Sequence, residues 1–262
     1  MGAVREIMLN IMLSGCCGSM GRAVTAFAYI RDDIRITAGI DREGRECKFP
    51  TFVSPFSFNG KVDVIIDFSS PAALPGLLEY AVSAKTPAVI ATTGLSEAHI
   101  ALIYKAAKAI PIFFSANMSL GINLLCELAK TAARVLGGTY DIEIVETHHA
   151  QKTDAPSGTA LMLADAISSE LECKPYYEYD RHLRRTKRPH DEIGIHSIRG
   201  GTAVGEHEII FAGYNETIKL SHCAQSKELF AAGAVNAAKF IQNKEPGLYG
   251  MSDMIDRKDA KK

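Results

Sequence analysis

Up to Ser115 the apolar residues come in short runs, each closed by small or polar residues. Leu9 to Leu13 runs into Ser14-Gly15, Ile34 to Ile40 into Asp41, Val62 to Phe68 into Ser69-Ser70-Pro71, and Ala88 to Ala91 into Thr92-Thr93-Gly94; Ile112 to Ser115 is the fifth. Unbroken runs of this length suit strands buried on both faces. Between them the spacing predicts helices: Arg22 to Ile30, with Val24, Phe27 and Ala28 on one face, Ala72 to Ser83, with Pro75 near its start, and a helix through Ala109 that Ser96 can cap. Strand and helix alternate, the pattern of a parallel sheet with helices on both faces.

After Ser119 the pattern changes. Gly121 to Leu136 reads as a long helix ended by Gly137-Gly138, Asp141 to Glu146 alternates polar and apolar as a half-buried strand, and Ser157 to Leu171 is helical. Lys174 to Glu192 reads as a polar loop; Ile193 to Arg199, Gly205 to Ala212 and Glu216 to Ser221 read as strands of a sheet with antiparallel potential. Lys227 to Gln242 is a last helix, and the charged tail from Asp256 to Lys262 is expected to fray.

Composition narrows the class. Of 262 residues 47% are apolar and 23% charged, and 29 basic side chains balance 30 acidic ones to a formal net charge of −1. That balance argues against a nucleic-acid partner, no apolar run is long enough for a membrane span, and Met1 to Asn10, with Arg5 and Glu6, lacks the features of a signal peptide. A cytoplasmic protein is expected. The dense basic run Arg181 to Arg188 is then a solvated or inter-subunit loop. The cysteines at 16, 17, 47, 126, 173 and 223 show no zinc or disulfide spacing and read as scattered reduced thiols, with no metal site expected.

Two stretches carry chemistry. Gly15-Cys16-Cys17-Gly18-Ser19-Met20-Gly21 follows a strand and opens a helix, where free N–H groups can hold a pyrophosphate. Asp41 stands 20 residues past Gly21 at the end of the second strand, placed to bind an adenosine ribose, while the adjoining Arg42 could pair with a 2′-phosphate; NADH and NADPH both stay open. The strand ends at Asp67-Phe68-Ser69 and Thr92-Thr93-Gly94 leave room for a nicotinamide. The second stretch is His148-His149-Ala150-Gln151-Lys152-Thr153-Asp154-Ala155-Pro156-Ser157-Gly158-Thr159: histidines and a lysine run into a helix start whose N–H groups, at Ser157, Gly158 and Thr159, would point at an anion beside a proton donor.

With these residues in view, the chain resembles the dihydrodipicolinate reductase family. The His148-His149…Lys152…Pro156-Ser157-Gly158-Thr159 stretch carries the resemblance, and the glycine turn, Asp67-Phe68-Ser69, Thr92-Thr93-Gly94, Ala116-Asn117-Met118-Ser119 and Arg199-Gly200-Gly201 follow in the family's order. The resemblance implies a Rossmann-like dinucleotide-binding domain (1–119 and 227–262) and an α+β substrate-binding and tetramerisation domain (120–226). It implies a homotetramer, and NADH- or NADPH-dependent reduction of a cyclic dicarboxylate in the diaminopimelate/lysine pathway. It places general-acid roles on His148 and Lys152 and substrate binding on His149, Lys152, Gly158 and Thr159, to which the helix-start reading adds Ser157. Cofactor contacts fall on Gly15 to Gly21, Asp41, Arg42, Phe68, Ala91, Thr92, Thr93 and Ala116 to Ser119. The chain departs from the family at Ala91 and Cys17, where glycine is common, and at Lys227, where arginine is.

Overall fold

The computed structural model describes residues 8–182 and 184–255. The expectations for Met1 to Ile7, Leu183 and the tail from Asp256 lie outside the described residues. The chain folds as two units, one drawn from Met1–Met118 and Lys227–Lys262, the other from Ser119–Ser226.

The first unit begins β1 (Leu9–Ser14), α1 (Ser19–Tyr29), β2 (Ile34–Ile40), β3 (Thr51–Phe52), β4 (Val64–Asp67), α2 (Leu74–Ser83), β5 (Ala88–Ile90), α3 (Glu97–Ala107) and β6 (Pro111–Phe114). The helix expected from Arg22 starts three positions earlier, at Ser19, directly after Gly18, which stands as N-cap in the extended conformation. Ser96 caps α3 as expected, accepting from the His99 N–H while the His99 ring returns the contact. The second unit supplies α4 (Leu120–Leu136), β7 (Asp141–His148), α5 (Gly158–Ser168), β8 (Tyr176–Glu178), β9 (Glu192–Arg199), β10 (Gly205–Ala212) and β11 (Thr217–Ala224). The chain then returns to the first unit with α6 (Glu228–Ile241), β12 (Gly247–Tyr249) and α7 (Met251–Ile255).

The first sheet runs β12-β6-β5-β4-β1-β2-β3 and every pairing in it is parallel. Alternate residues serve its two faces. Ile11, Leu13, Val64, Ile66, Val89 and Phe113 meet α1 and α6, whereas Met12, Ile65, Ile90 and Ile112 meet α2 and α3. The strand order reverses between β1 and β4, and in such sheets the crevice at the carboxyl ends of those strands receives ligands.

The second sheet runs β11-β10-β7-β9-β8 and is mixed: β10 lies antiparallel to β7 and β11, whereas β9 lies parallel to β7 and β8. Helices α4 and α5 cover one face, packing Leu125, Ala129, Leu163 and Ile167 against Ile144, Ile195, Ile209 and Phe211. The alternation read for β7 continues past Glu146 to His148, so Ile142, Ile144, Glu146 and His148 share the buried side. The expected loop from Lys174 contains β8, an edge strand held by pairing with β9. Three arginines of the basic run are paired within their own unit. Arg181 meets Glu192, Arg184 meets Glu178 at 2.6 Å, and Arg188 meets Asp141 at 2.7 Å and Glu143 at 3.0 Å.

Candidate functional site

In the first unit β1 delivers Gly15 to the reversal point. Gly15 has φ +76°, and a Cβ there would lie 2.5 Å from the Phe68 carbonyl oxygen at the end of β4. A Cβ on Gly21 would lie 2.2 Å from the Gly15 oxygen, so the helix can press this close to the turn only with glycine. The Gly15 and Cys16 N–H groups donate to Ile40 O at 2.9 and 3.2 Å, and Gly18 N–H donates to Gly15 O at 3.0 Å. Ser19 opens α1 after the Gly18 N-cap, and no side chain caps it. The N–H groups of its first turn, with the helix dipole behind them, fit a pyrophosphate.

Asp41 is buried at the end of β2 and accepts from Glu43 N–H at 3.1 Å. The guanidinium on it belongs to Arg45, whose Nε and Nη2 lie 3.2 and 3.1 Å from its oxygens and hold its carboxyl below the usual range. Arg42, the expected partner of a 2′-phosphate, stands 91% exposed and only 3.6 Å from Glu43. Arg45 is therefore the cation of this corner that the sequence reading missed.

At the neighbouring strand ends, Asp67 is fully buried; burial pushes its carboxyl up, and Thr92 Oγ1 donates to it at 2.7 Å. The Thr92 hydroxyl is thus turned to the protein, while Thr93 is exposed. Ala91 is buried, its N–H on Asp67 O at 3.0 Å, and Phe68 N–H bonds Ser14 O at 3.0 Å. Ala116 is exposed, Met118 is buried, and Asn117 N–H donates to Ser115 Oγ at 3.3 Å. Ser119 begins the second unit, where it caps α4 by accepting from Ile122 N–H at 3.1 Å.

The reading of six scattered cysteines fails for three of them. Sγ of Cys17 lies 3.7 Å from that of Cys16 and 3.0 Å from that of Cys47, and Cys16 and Cys47 are 3.9 Å apart. Burial and the contacts with Cys17 and Cys47 push Cys16 up, while burial and the Cys47 thiol push Cys17 up to about 11. Spacing hid the cluster because the chain between β2 and β3 folds Cys47 back onto the glycine turn.

The second unit centres on Glu146, which is fully buried. Arg199, opposite His148 in the β7–β9 register, grips it with two bonds, Nη1 to Oε2 at 2.8 Å and Nη2 to Oε1 at 2.7 Å. Burial alone would raise this carboxyl; Arg199, Ser197, His148 and the Ser157 N–H instead hold it down at about 2. An ionised carboxylate only accepts, so His148 donates to it from Nδ1, at 2.5 Å, leaving Nε2 as the nitrogen with chemistry to do. His207 stacks edge-on to His148 with centroids 5.3 Å apart, bonds Ser157 Oγ through Nε2 at 3.1 Å, and is driven down to about 4 by burial and by His148.

The loop after β7 is tied to this network. His149 N–H bonds Ala203 O at 2.8 Å, Arg199 also donates to Asp154 O at 2.7 Å, and Lys152 Nζ lies 2.7 and 2.8 Å from the two Asp154 oxygens. Gly158 is exposed at the start of α5 and Thr159 half-buried. Ser157 departs from expectation. It is buried, its N–H goes inward to Glu146 at 3.1 Å, and its hydroxyl caps α5 through Ala160 N–H at 3.1 Å, so it anchors the loop rather than facing an anion. Sequence reasoning gave no role to Glu146, Arg199 or His207; extending the period-2 alternation by one residue pair would have put Glu146 and His148 on one buried face.

Comparison with known proteins follows the same division of the chain. Residues 9–118 match the model described as "Dihydrodipicolinate reductase, N-terminus" and residues 121–255 that described as "Dihydrodipicolinate reductase, C-terminus". A 4-hydroxy-tetrahydrodipicolinate reductase of Caldanaerobacter subterraneus subsp. tengcongensis is 49% identical over 251 residues, covering 96% of this chain and 100% of the relative. One of Clostridium botulinum is 48% identical over 249 residues, covering 95% and 98%. Among solved structures, a dipicolinate-bound dihydrodipicolinate reductase from Paenisporosarcina sp. superposes with a TM-score of 0.79 at 22% identity, covering 95% of this chain and all of that one. A diaminopimelate dehydrogenase of C. glutamicum reaches 0.55 at 14% identity, covering 95% and 99%.

Proposed function

The chain belongs to the dihydrodipicolinate reductase family, and from that premise we propose that it reduces 4-hydroxy-tetrahydrodipicolinate to tetrahydrodipicolinate in diaminopimelate and lysine biosynthesis, using NADH or NADPH. The first unit is the dinucleotide-binding domain and the second the substrate-binding domain. The observation that carries this reading is the loop from His148 to Gly158, where two histidines and an ammonium lead into a helix start on a buried ionic frame.

When bound, the dinucleotide supplies a hydride. The chain's own residues do the rest. The glycine turn and the start of α1 hold the pyrophosphate; Asp41 and Arg45 face the adenosine ribose; Phe68, Ala91, Thr93 and the 116–118 segment border the nicotinamide. Gly158 and Thr159 take a substrate carboxylate at the positive end of α5, and His149 is a further substrate contact. Lys152 brings cationic charge and protons to the loop, with Asp154 orienting its Nζ. His148 can give a proton only from Nε2, because Nδ1 is committed to Glu146. Lys152 gives one proton per turnover from an ammonium held by Asp154 outside the buried network, where solvent can reprotonate it. Assembly as a homotetramer is part of the proposal. It is supported by the second sheet, whose helices cover one face while Val145 and Ile210 on the other are half-exposed and Ile198 is 50% exposed.

The test is a coupled assay in which dihydrodipicolinate synthase makes the substrate from pyruvate and aspartate semialdehyde, with NADH and NADPH run side by side. Synthase-dependent oxidation of either supports the reaction, and the ratio of rates ranks the cofactors. Folded protein that binds a dinucleotide yet oxidises neither would overturn the reading. Sedimentation of the same preparation checks the tetramer.

A further inference from the structure

The thiols of Cys16, Cys17 and Cys47 take no part in the proposed reaction, yet they converge. We propose that they form a binding site for one thiophilic d10 metal ion of the zinc(II) or cadmium(II) class, and that the ion and the dinucleotide oppose each other's binding.

The geometry is that of a three-sulfur cradle. Three thiolates around a tetrahedral zinc, each at about 2.3 Å, stand about 3.8 Å from one another. Two of the three edges here, 3.7 and 3.9 Å, match that spacing, and opening the third from 3.0 Å requires only that Cys47 swing outward. Cys47 can do so, because it is only half-buried in the segment between β2 and β3, whereas Cys16 and Cys17 are fixed in the turn. Among the described residues this is the one group of His, Cys, Asp or Glu side chains whose ligand atoms gather closely enough for a metal.

The surroundings favour a bound ion. Room for the Cys16 sulfur exists because residue 39 is glycine: a Cβ there would lie 2.7 Å from that Sγ. A cavity of about 410 Å³, lined by Cys47 together with Gly44, Glu46 and Lys48, opens beside the cluster and gives an ion and its fourth ligand, a water, a way in. Three thiolates around a divalent ion carry one net negative charge. One guanidinium lies beside it, that of Arg22, whose Nη1 donates to Cys17 O at 2.6 Å, whereas Arg45 is already paired with Asp41, so part of the charge remains.

That residual charge makes the site more than a structural clip. The sulfurs hang from the turn whose N–H groups, on the reading proposed above, receive the pyrophosphate. A net anion there repels a second anion, and because linkage is reciprocal, dinucleotide weakens the ion as much as the ion weakens dinucleotide. This last step rests on the proposed function; the ion site itself does not.

The experiment uses the full chain, kept reduced with a phosphine and stripped of metal, titrated with zinc(II) or cadmium(II) alone, in the wild type and in Cys47→Ser. Cys47 lies outside the proposed catalytic and cofactor-binding residues, so the variant should keep basal turnover, which also verifies its fold. We expect one ion per wild-type chain, thiolate-to-cadmium absorption in the ultraviolet, and loss of both in Cys47→Ser. Uptake that is equal in the two proteins, or absent from the reduced wild type, would overturn the proposal. In the same samples NADPH affinity should fall roughly tenfold on zinc addition in the wild type and not in Cys47→Ser, the scale of an ordinary coupling between sites. An ion that binds through Cys47 but leaves NADPH affinity unchanged would keep the metal site and overturn its coupling to the dinucleotide.

Discussion

On the proposed function, the first unit offers its ligand backbone N–H groups held in place by glycines, and the second offers side chains held in place by a buried carboxylate. Gly15 and Gly21 leave no space for a Cβ, and α1 starts without a side-chain cap. Around Glu146, by contrast, Arg199, His148 and Ser157 each satisfy part of one charge. A site made of backbone is sensitive to shape and nearly indifferent to pH. A site made of buried ionisable groups is sensitive to pH and to the loss of any single partner.

The sharpest way to break this contrast is chemical. Lys152→Ala should lower kcat by about 10²- to 10⁴-fold, the usual worth of a positioned proton donor, while NADPH affinity measured by fluorescence stays unchanged. A loss of cofactor binding instead would mean that the two sites are not separable. Next comes Arg199→Met, which strands the Glu146 charge in a fully buried position; unfolding by urea should show a loss of about 3–5 kcal/mol.

Acid should act on the second unit first. His207 has its pKa depressed to about 4, so the unfolded chain takes up that proton from about 6.5 downward and the folded chain does not. Stability is lost as the pH falls through this window. Glu146 adds to it: its contribution is whole above its ordinary 4.5 and is lost as the pH falls towards about 2. Hydrogen exchange of the β7 and β10 amides between pH 7 and 4 should therefore accelerate before that of β1 and β4, after correction for intrinsic rates.

A smaller effect belongs to the cofactor corner. Gly21→Ala must displace the turn and should raise the KM for either dinucleotide roughly tenfold or more, with kcat less affected. Smallest of all is a pair of charge changes: Arg45→Gln should shift the NADPH-to-NADH preference several-fold in steady-state kinetics, and Arg42→Gln, exposed as it is, should change it by about 0.5 kcal/mol or less.

Much of the architecture was legible along the chain because strands buried on both faces write themselves as apolar runs. β2 and β10 fall on their expected bounds. β8 and β12 were not legible, since three-residue edge strands owe their existence to a neighbour rather than to their own pattern. The site divides the same way. The glycine turn and the His148–Thr159 stretch are local in sequence and were read as motifs. The contacts that Cys47, Arg199 and His207 make come from segments far along the chain, and the inward turn of Ser157 depends on Glu146 across 11 positions. Arg45 rather than Arg42 reaches Asp41 because the chain reverses at Gly44, whose φ is +63°.

One feature of the topology bears on how the protein is made. The Val64, Val89 and Phe113 side of the first sheet is covered by α6, and β6 receives its outer neighbour from β12, both of which lie beyond the whole of the second unit in sequence. During synthesis the second unit can leave the ribosome complete while the first still shows an open apolar face and an unpaired strand edge. For that interval the nascent chain is a natural client for chaperones, and its exposure ends only when α6 and β12 have emerged.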